Sequence, residues 1–300
     1  MKNYDQPKIR QPEIKELTEN KIDSYFERCE FEGKKLPYLT ARGFSSSGNA
    51  SSECLGVDGR RHEYLSDLER RFGITLSYLT NVSSVKTQYP ILNVQATIDV
   101  ATELNIPHPR FAPKSGQVKD ANQGYQAAVM TTDFYFQYAD VLTGELKKIA
   151  VSIKYDEDII IHDGVDLVVG RTRDKLEIER TYWTEVRSAE YRLITSSHWS
   201  VNPTFVKNID TARRFRDLDI PDGILKSSRI FFLEALQRPR RYRLNDLIAV
   251  VSQRSVISLE KTYAIFWYLF WHKELHVDLF RPLYDASFVF APKGDYVWAW

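Results

Sequence analysis

Apolar residues change their spacing along this chain, and each spacing predicts a different kind of element. HEYLSDLERRFGITL (62–76) sets Leu65, Leu68 and Phe72 at the i, i+3, i+7 positions of one helical face, with Glu69 at the edge of that stripe. SVKTQYPIL, MTTDFYFQY and KIAVSIKY, between 84 and 155, are rich in β-branched and aromatic residues and predict strands. RTRDKLEIERTYWTEVRS (171–188) predicts a long polar helix, and YRLITSS (191–197) a short strand after it. This order describes a mixed α/β layer.

Beyond the polar connector NIDTARRFRDLDIPDG the spacing becomes helical throughout. ILKSSRIFFLEALQR, YRLNDLIAVVSQ and SLEKTYAIFWYLFWHKE predict three helices joined by short turns, and ELHVDLFRPLYDASFVFAP predicts two strands about a proline-containing turn. Three helices and a terminal hairpin follow the order of a winged helix. The aromatic run YAIFWYLFW covers too much of its helix to be a base-stacking surface and is expected in the core. Residues 1–35 form a charged, partly helical leader, and GFSSSGNASS (43–52) lacks the apolar residues to pack and is expected to be a mobile loop.

Composition adds boundaries to this picture. A chain of 300 residues favours two domains, and 43% hydrophobic with 27% charged residues argues against disorder. Cys29 and Cys54 cannot make a disulfide framework, and neither they nor His62 and His162 have partners at zinc-ligand spacing. The histidines are expected to be ordinary loop or surface residues. The N-terminal residues have no apolar signal region, and the aromatic run is far shorter than the about 20 residues a membrane span needs, so a cytoplasmic location is expected with no membrane partner. The formal net charge is +1, while RRFR (213–216) and RPRRYR (238–243) concentrate positive charge late in the chain, which suits either nucleic acid or a solvated surface.

The candidate chemistry lies in a hairpin. IAVSIKYDED (149–158) is apolar up to Lys154 and then acidic. A two-residue turn at Thr143-Gly144 would set Asp133 opposite Lys154, with Ser152 on the same face and Phe134, Phe136, Val151 and Ile153 on the other. The pair is either a cross-strand ion pair or part of a metal-dependent nuclease site, in which carboxylates hold a hard divalent ion and the lysine offsets phosphate charge. Glu69 is the candidate second carboxylate.

The series LSDLE (65–69), QYP (88–90), TTDF (131–134), SIK (152–154) and LEIERTYW (176–183) resembles the TnsA endonuclease subunit of heteromeric, Tn-seven-like transposases. LPYLTARGF, VDGRRHEYLSDLE and VNPTFVKNI extend the likeness over about 36–210. The resemblance implies a restriction-endonuclease-like (PD-(D/E)xK) core at 36–210 and a winged-helix domain at 211–300. Glu69, Asp133 and Lys154 match its catalytic positions, and Glu179 a further acidic one; an exposed glutamate paired with Arg180 or Lys175 is the alternative for Glu179. The family has glutamine where this chain has Ser152. The resemblance implies Mg²⁺ or Mn²⁺ on Glu69, Asp133 and the Ile153 carbonyl, with Ser152 acting directly or through water. Asp156, Glu157 and Asp158 are left as loop residues without chemistry.

The implied activity is hydrolysis of the DNA strand at the transposon 5′ ends. A TnsB-like DDE transposase would act on the 3′ ends, and a TnsC-like AAA+ ATPase is the second implied partner. A stand-alone restriction or repair nuclease and an inactive DNA-binding adaptor are the competing readings.

Overall fold

The structure is a computed structural model that describes residues 9–43, 51–54, 61–111, 125–159, 167–237 and 241–290. The described residues divide into two compact units: 9–70 with 81–196, and 71–80 with 197–290.

The first unit is built on a four-stranded sheet of order β3-β4-β5-β6. In chain order its elements are α1 (Glu16–Phe31), β1 (Ser51–Cys54), β2 (Arg61–Tyr64), the start of α2 (Asp67–Tyr78), β3 (Val82–Ile91), α3 (Val94–Glu103), β4 (Met130–Ala139), β5 (Leu146–Lys154), α4 (Leu167–Thr181) and β6 (Glu190–Thr195). β3, β4 and β5 are antiparallel neighbours, while β5 and β6 run parallel with α4 as their crossover, as parallel strands require. Burial alternates strictly along β4, the period-2 signature of a pleated strand. One face carries Phe134, stacked on Tyr64 at 6.0 Å. The opposite face carries Ala150 and its partner Tyr135 beneath α3 and α4, packed with Ile91, Val100, Ile178, Tyr182 and Trp183.

Several expectations need correction. His62, Glu63 and Tyr64 are strand, pairing with β1, and the helix begins only at Asp67 because Ser66 caps it. His62 is therefore buried in β2; His162 lies outside the described residues. Ser51 and Ser52, expected in a mobile loop, belong to β1, and residues 44–50 of that segment are not described. The β4–β5 connection spans Asp140 to Glu145, since Asp140 N–H donates to the Glu145 carbonyl and the Asp140 side chain accepts from Leu142 N and Thr143 N. An aspartate that caps its own turn lengthens the loop. Phe134 consequently pairs with Val151, and Lys154 lies beyond the position opposite Asp133. Displacement by an even number of residues keeps both on one face.

Helix α3 was not anticipated from the apolar spacing; Asn93 starts it by accepting from Ala96 N. The leader is tied to the sheet unit, with Glu13 bridged to Gln126 and Thr18 Oγ1 donating to the Ala127 carbonyl.

The second unit contains α5 (Pro203–Arg213), α6 (Asp222–Gln237), α7 (Leu244–Ser255) and α8 (Leu259–Trp271). Asn202 and Pro203 start α5, and Ser258 starts α8. Ile265, Phe266, Trp267, Leu269 and Phe270 are 0–1% exposed, so the aromatic run is core as expected, together with Ile74 and Tyr78 from the later turns of α2. The expected terminal hairpin does not form among the described residues: 272–290 contain no strand, only a single bridge between Arg243 and Phe288. Pro282 lacks the N–H a strand ladder needs, and Asp278 turns the chain by accepting from Phe280 N.

Candidate active site

Four elements of the first unit meet at Asp133. The residue sits on β4, 13% exposed at its side chain, and its Oδ2 accepts from Ile153 N at 2.7 Å and from Lys154 Nζ at 3.1 Å. The backbone of β5 thus orients the carboxylate and the end of β5 supplies its counter-charge. Lys154 Nζ also donates to the Ile153 carbonyl at 2.7 Å. Two of its three N–H donors are thereby fixed, leaving one to point elsewhere.

Glu69 comes from the first turn of α2 and is 5% exposed. Ser66 and Glu69 form a capping-box-like pair: Ser66 Oγ accepts from Glu69 N, and the Glu69 carboxylate accepts from Leu65 N and Ser66 Oγ. Gln88 Nε2 adds a fourth restraint, donating to Glu69 Oε2 at 2.9 Å. Gln88 itself is in the left-handed region, φ 47°, an uncommon conformation for a residue with a side chain. QYP belongs to the motif series, but nothing in the sequence assigns Gln88 a role; backbone strain and a buried amide are visible only in three dimensions.

Glu179 enters from α4 and is also 5% exposed. Its alternative as an exposed ion pair fails, because Arg180 pairs with Glu177 instead. Ser152 is 1% exposed on β5 and its hydroxyl faces Glu179 and Tyr191. Ser152 Oγ, Glu179 Oε1, Tyr191 Oη and Gln88 Oε1 are all buried without a hydrogen bond of good geometry. Just after Glu179 the helix widens into a π-turn at Tyr182–Val186, which lets Trp183 Nε1 donate to Thr132 Oγ1 beside Asp133. Asp156 accepts from Ser196 Oγ, so the acids after Lys154 are committed to a turn.

Electrostatics follow from this packing. Burial, and then the nearby Asp133 charge, push the carboxyls of Glu69 and Glu179 each up to about 7. Burial opposes the Lys154 charge, but Asp133, Glu179 and Glu69 outweigh it and raise its pKa, so the ammonium persists at neutral pH. With all three acids ionised, the centre would hold three negative charges against one positive. Hard, buried oxygen donors with uncompensated charge suit a divalent cation of the Mg²⁺ or Mn²⁺ type. No preformed group of three or more His, Cys, Asp or Glu ligands occurs among the described residues. Glu69, Asp133, Ser152, Ile153, Lys154 and Glu179 are nevertheless one neighbourhood.

Residues 80–196 match the family model described as TnsA-like endonuclease N terminal. That range contains Asp133, Ser152, Ile153, Lys154 and Glu179, whereas Glu69 precedes it. The chain is also 28% identical over 175 residues to the transposon Tn7 transposition protein TnsA of Escherichia coli, covering 58% of this chain and 54% of that relative. The chain thus matches about half the length of that curated relative. Residues 80–196, which hold β3 to β6, are thus similar to a TnsA-like endonuclease N-terminal domain. No helix among the described residues is long and apolar enough to cross a membrane.

Proposed function

We propose that the chain is the metal-dependent DNA endonuclease subunit of a heteromeric transposase, hydrolysing the strand at the transposon 5′ ends. The observation that carries this reading is the burial of Glu69 and Glu179 around the Asp133–Lys154 pair, an arrangement costly to folding and suited to phosphodiester chemistry. Glu69, Asp133 and the Ile153 carbonyl would hold Mg²⁺ or Mn²⁺, whose contribution when bound is Lewis-acid stabilisation of charge on the phosphate and activation of water.

The side chains have separable tasks. Ser66, Leu65 N and Gln88 fix Glu69, so it serves as an oriented ligand rather than a mobile base. Lys154 stays protonated and offers its remaining N–H to a phosphate oxygen, a charge-stabilising role. Glu179, with an unengaged oxygen and a pKa near 7, is suited to take a proton from the attacking water. Ser152, buried between Glu179 and Tyr191, tunes Glu179 more directly than it serves the cation.

A DDE transposase of the TnsB kind would process the 3′ ends, and an AAA+ ATPase of the TnsC kind is the second proposed partner. The α6–α8 bundle is proposed as a winged-helix-like domain, supported by three successive helices and the Arg243–Phe288 bridge. Cleavage of transposon-end DNA by the purified chain, with and without the DDE partner, tests the assignment. Partner-dependent 5′-strand cleavage is expected; efficient cutting of any DNA by the chain alone would instead indicate a stand-alone nuclease.

A further inference from the structure

Two concave, cation-rich surfaces of the first unit lie outside the catalytic residues, and charge pairing separates them. In one, most of the cations are already engaged: Arg61 pairs with Glu63 at 3.1 Å, Lys34 with Glu32 at 3.6 Å, Arg28 donates to the Tyr38 carbonyl, and Lys86 lies over the Tyr89 and Tyr135 rings. The second is a cavity of about 390 Å³ bordered by Arg10, Arg110, Arg171 and Lys175, with Asp174 as the sole carboxylate in its lining. None of these four cations makes an ion pair among the described residues.

The cavity has a built rather than incidental form. The guanidinium carbons of Arg10 and Arg110 lie over the Tyr125 ring, 5.1 and 5.5 Å from its centroid. Stacking fixes the guanidinium planes while leaving their N–H donors unspent. Lys175 is one turn ahead of Glu179 on α4, about 6 Å along the helix axis. Burial, and then the charges of Lys154 and Arg171, lower its pKa, so like charges continue from the catalytic lysine into the cavity. Crowded like charges destabilise one another unless an anion joins them.

We infer that this cavity holds the phosphate backbone of DNA flanking the scissile phosphate, with Arg10, Arg110, Arg171 and Lys175 as its phosphate ligands. The inference rests on the endonuclease reading. The axial offset of Lys175 from Glu179 corresponds to about one or two phosphates along a strand, whose rise is about 3.4 Å per nucleotide.

Binding of the full chain to a short fluorescent duplex, measured by anisotropy across a salt series, tests it. Substituting Arg10→Gln, Arg110→Gln and Arg171→Gln together should reduce the slope of log K against log salt by about 3, because each lost phosphate contact removes about one unit. Asp174→Asn should tighten binding roughly threefold at low salt, a gain that misfolding cannot imitate. Inorganic phosphate at matched ionic strength should compete no better than chloride, and selective competition would mean a free-anion site instead. A wild-type slope in the triple variant, or no tightening in Asp174→Asn, overturns the inference even if Asp133→Ala abolishes cleavage and leaves the endonuclease reading intact. Wild-type protein that binds no duplex even at low salt overturns the inference, and failure to cut transposon-end DNA with Mg²⁺ and the DDE partner present removes the endonuclease reading with it.

Discussion

Glu69, Asp133 and Glu179 share one ammonium group, and that shortage makes the site measurable without a substrate. Glu69 and Glu179 have folded-state pKa values near 7, above an ordinary value of 4.5. The folded state therefore binds more protons than the unfolded state between these values. The resulting stabilisation is complete below about pH 4.5 and is lost as pH rises through about 7. Thermal melts of chelator-treated protein should fall across that interval, and Mg²⁺ should restore more stability at pH 8 than at pH 6. Glu179→Gln should flatten part of the decline and raise the melting temperature at pH 8, since a neutral isostere removes a buried charge. The same variant should lower cleavage by about 10²-fold if Glu179 carries the proton. A pH-independent melt in both proteins would contradict the electrostatic picture.

At the scale of elements, apolar spacing located α2, β3, β4, β5, α4 and β6, because each buries a face large enough to impose its period on the sequence. It failed where a single polar residue decides the outcome. Ser66 delays the start of α2, Asn93 starts α3, and Asp140 lengthens the β4–β5 loop. The altered register still brings Lys154 to Asp133, diagonally, since face rather than direct opposition is what alternation conserves. In the second unit, α7 ends at Val256 with φ 55°, a left-handed position that is costly for a β-branched residue. The side chain is 88% exposed, so replacing it forfeits little packing. Val256→Gly should raise stability by about 1 kcal/mol in denaturant melts. A loss of stability would mean that the strain at this helix end is compensated elsewhere.

For the whole molecule, residue order along the chain carried most of what could be read of the site, because Glu69, Asp133, Lys154 and Glu179 lie on separate elements whose meeting no local pattern encodes. Their burial, the support from Gln88 and the orphaned oxygens of Ser152 and Glu179 depend on tertiary packing and left no trace in spacing. The formal net charge of +1 conceals a strongly uneven distribution, with acids concentrated around Asp133 and, near Tyr125, cations that make no ion pair among the described residues. Under the proposed endonuclease function, so little net charge predicts weak binding to loose DNA and a target gained through an assembly. The most direct measurement is strand-resolved cleavage of transposon-end DNA with Mg²⁺ and the DDE partner, comparing wild type with Asp133→Ala. Wild type should make a 5′-strand cut that Asp133→Ala reduces by at least about 10³-fold, with 3′-strand processing by the partner retained. Wild-type 5′ cleavage by Asp133→Ala, or by the unaltered chain in excess chelator, would contradict it.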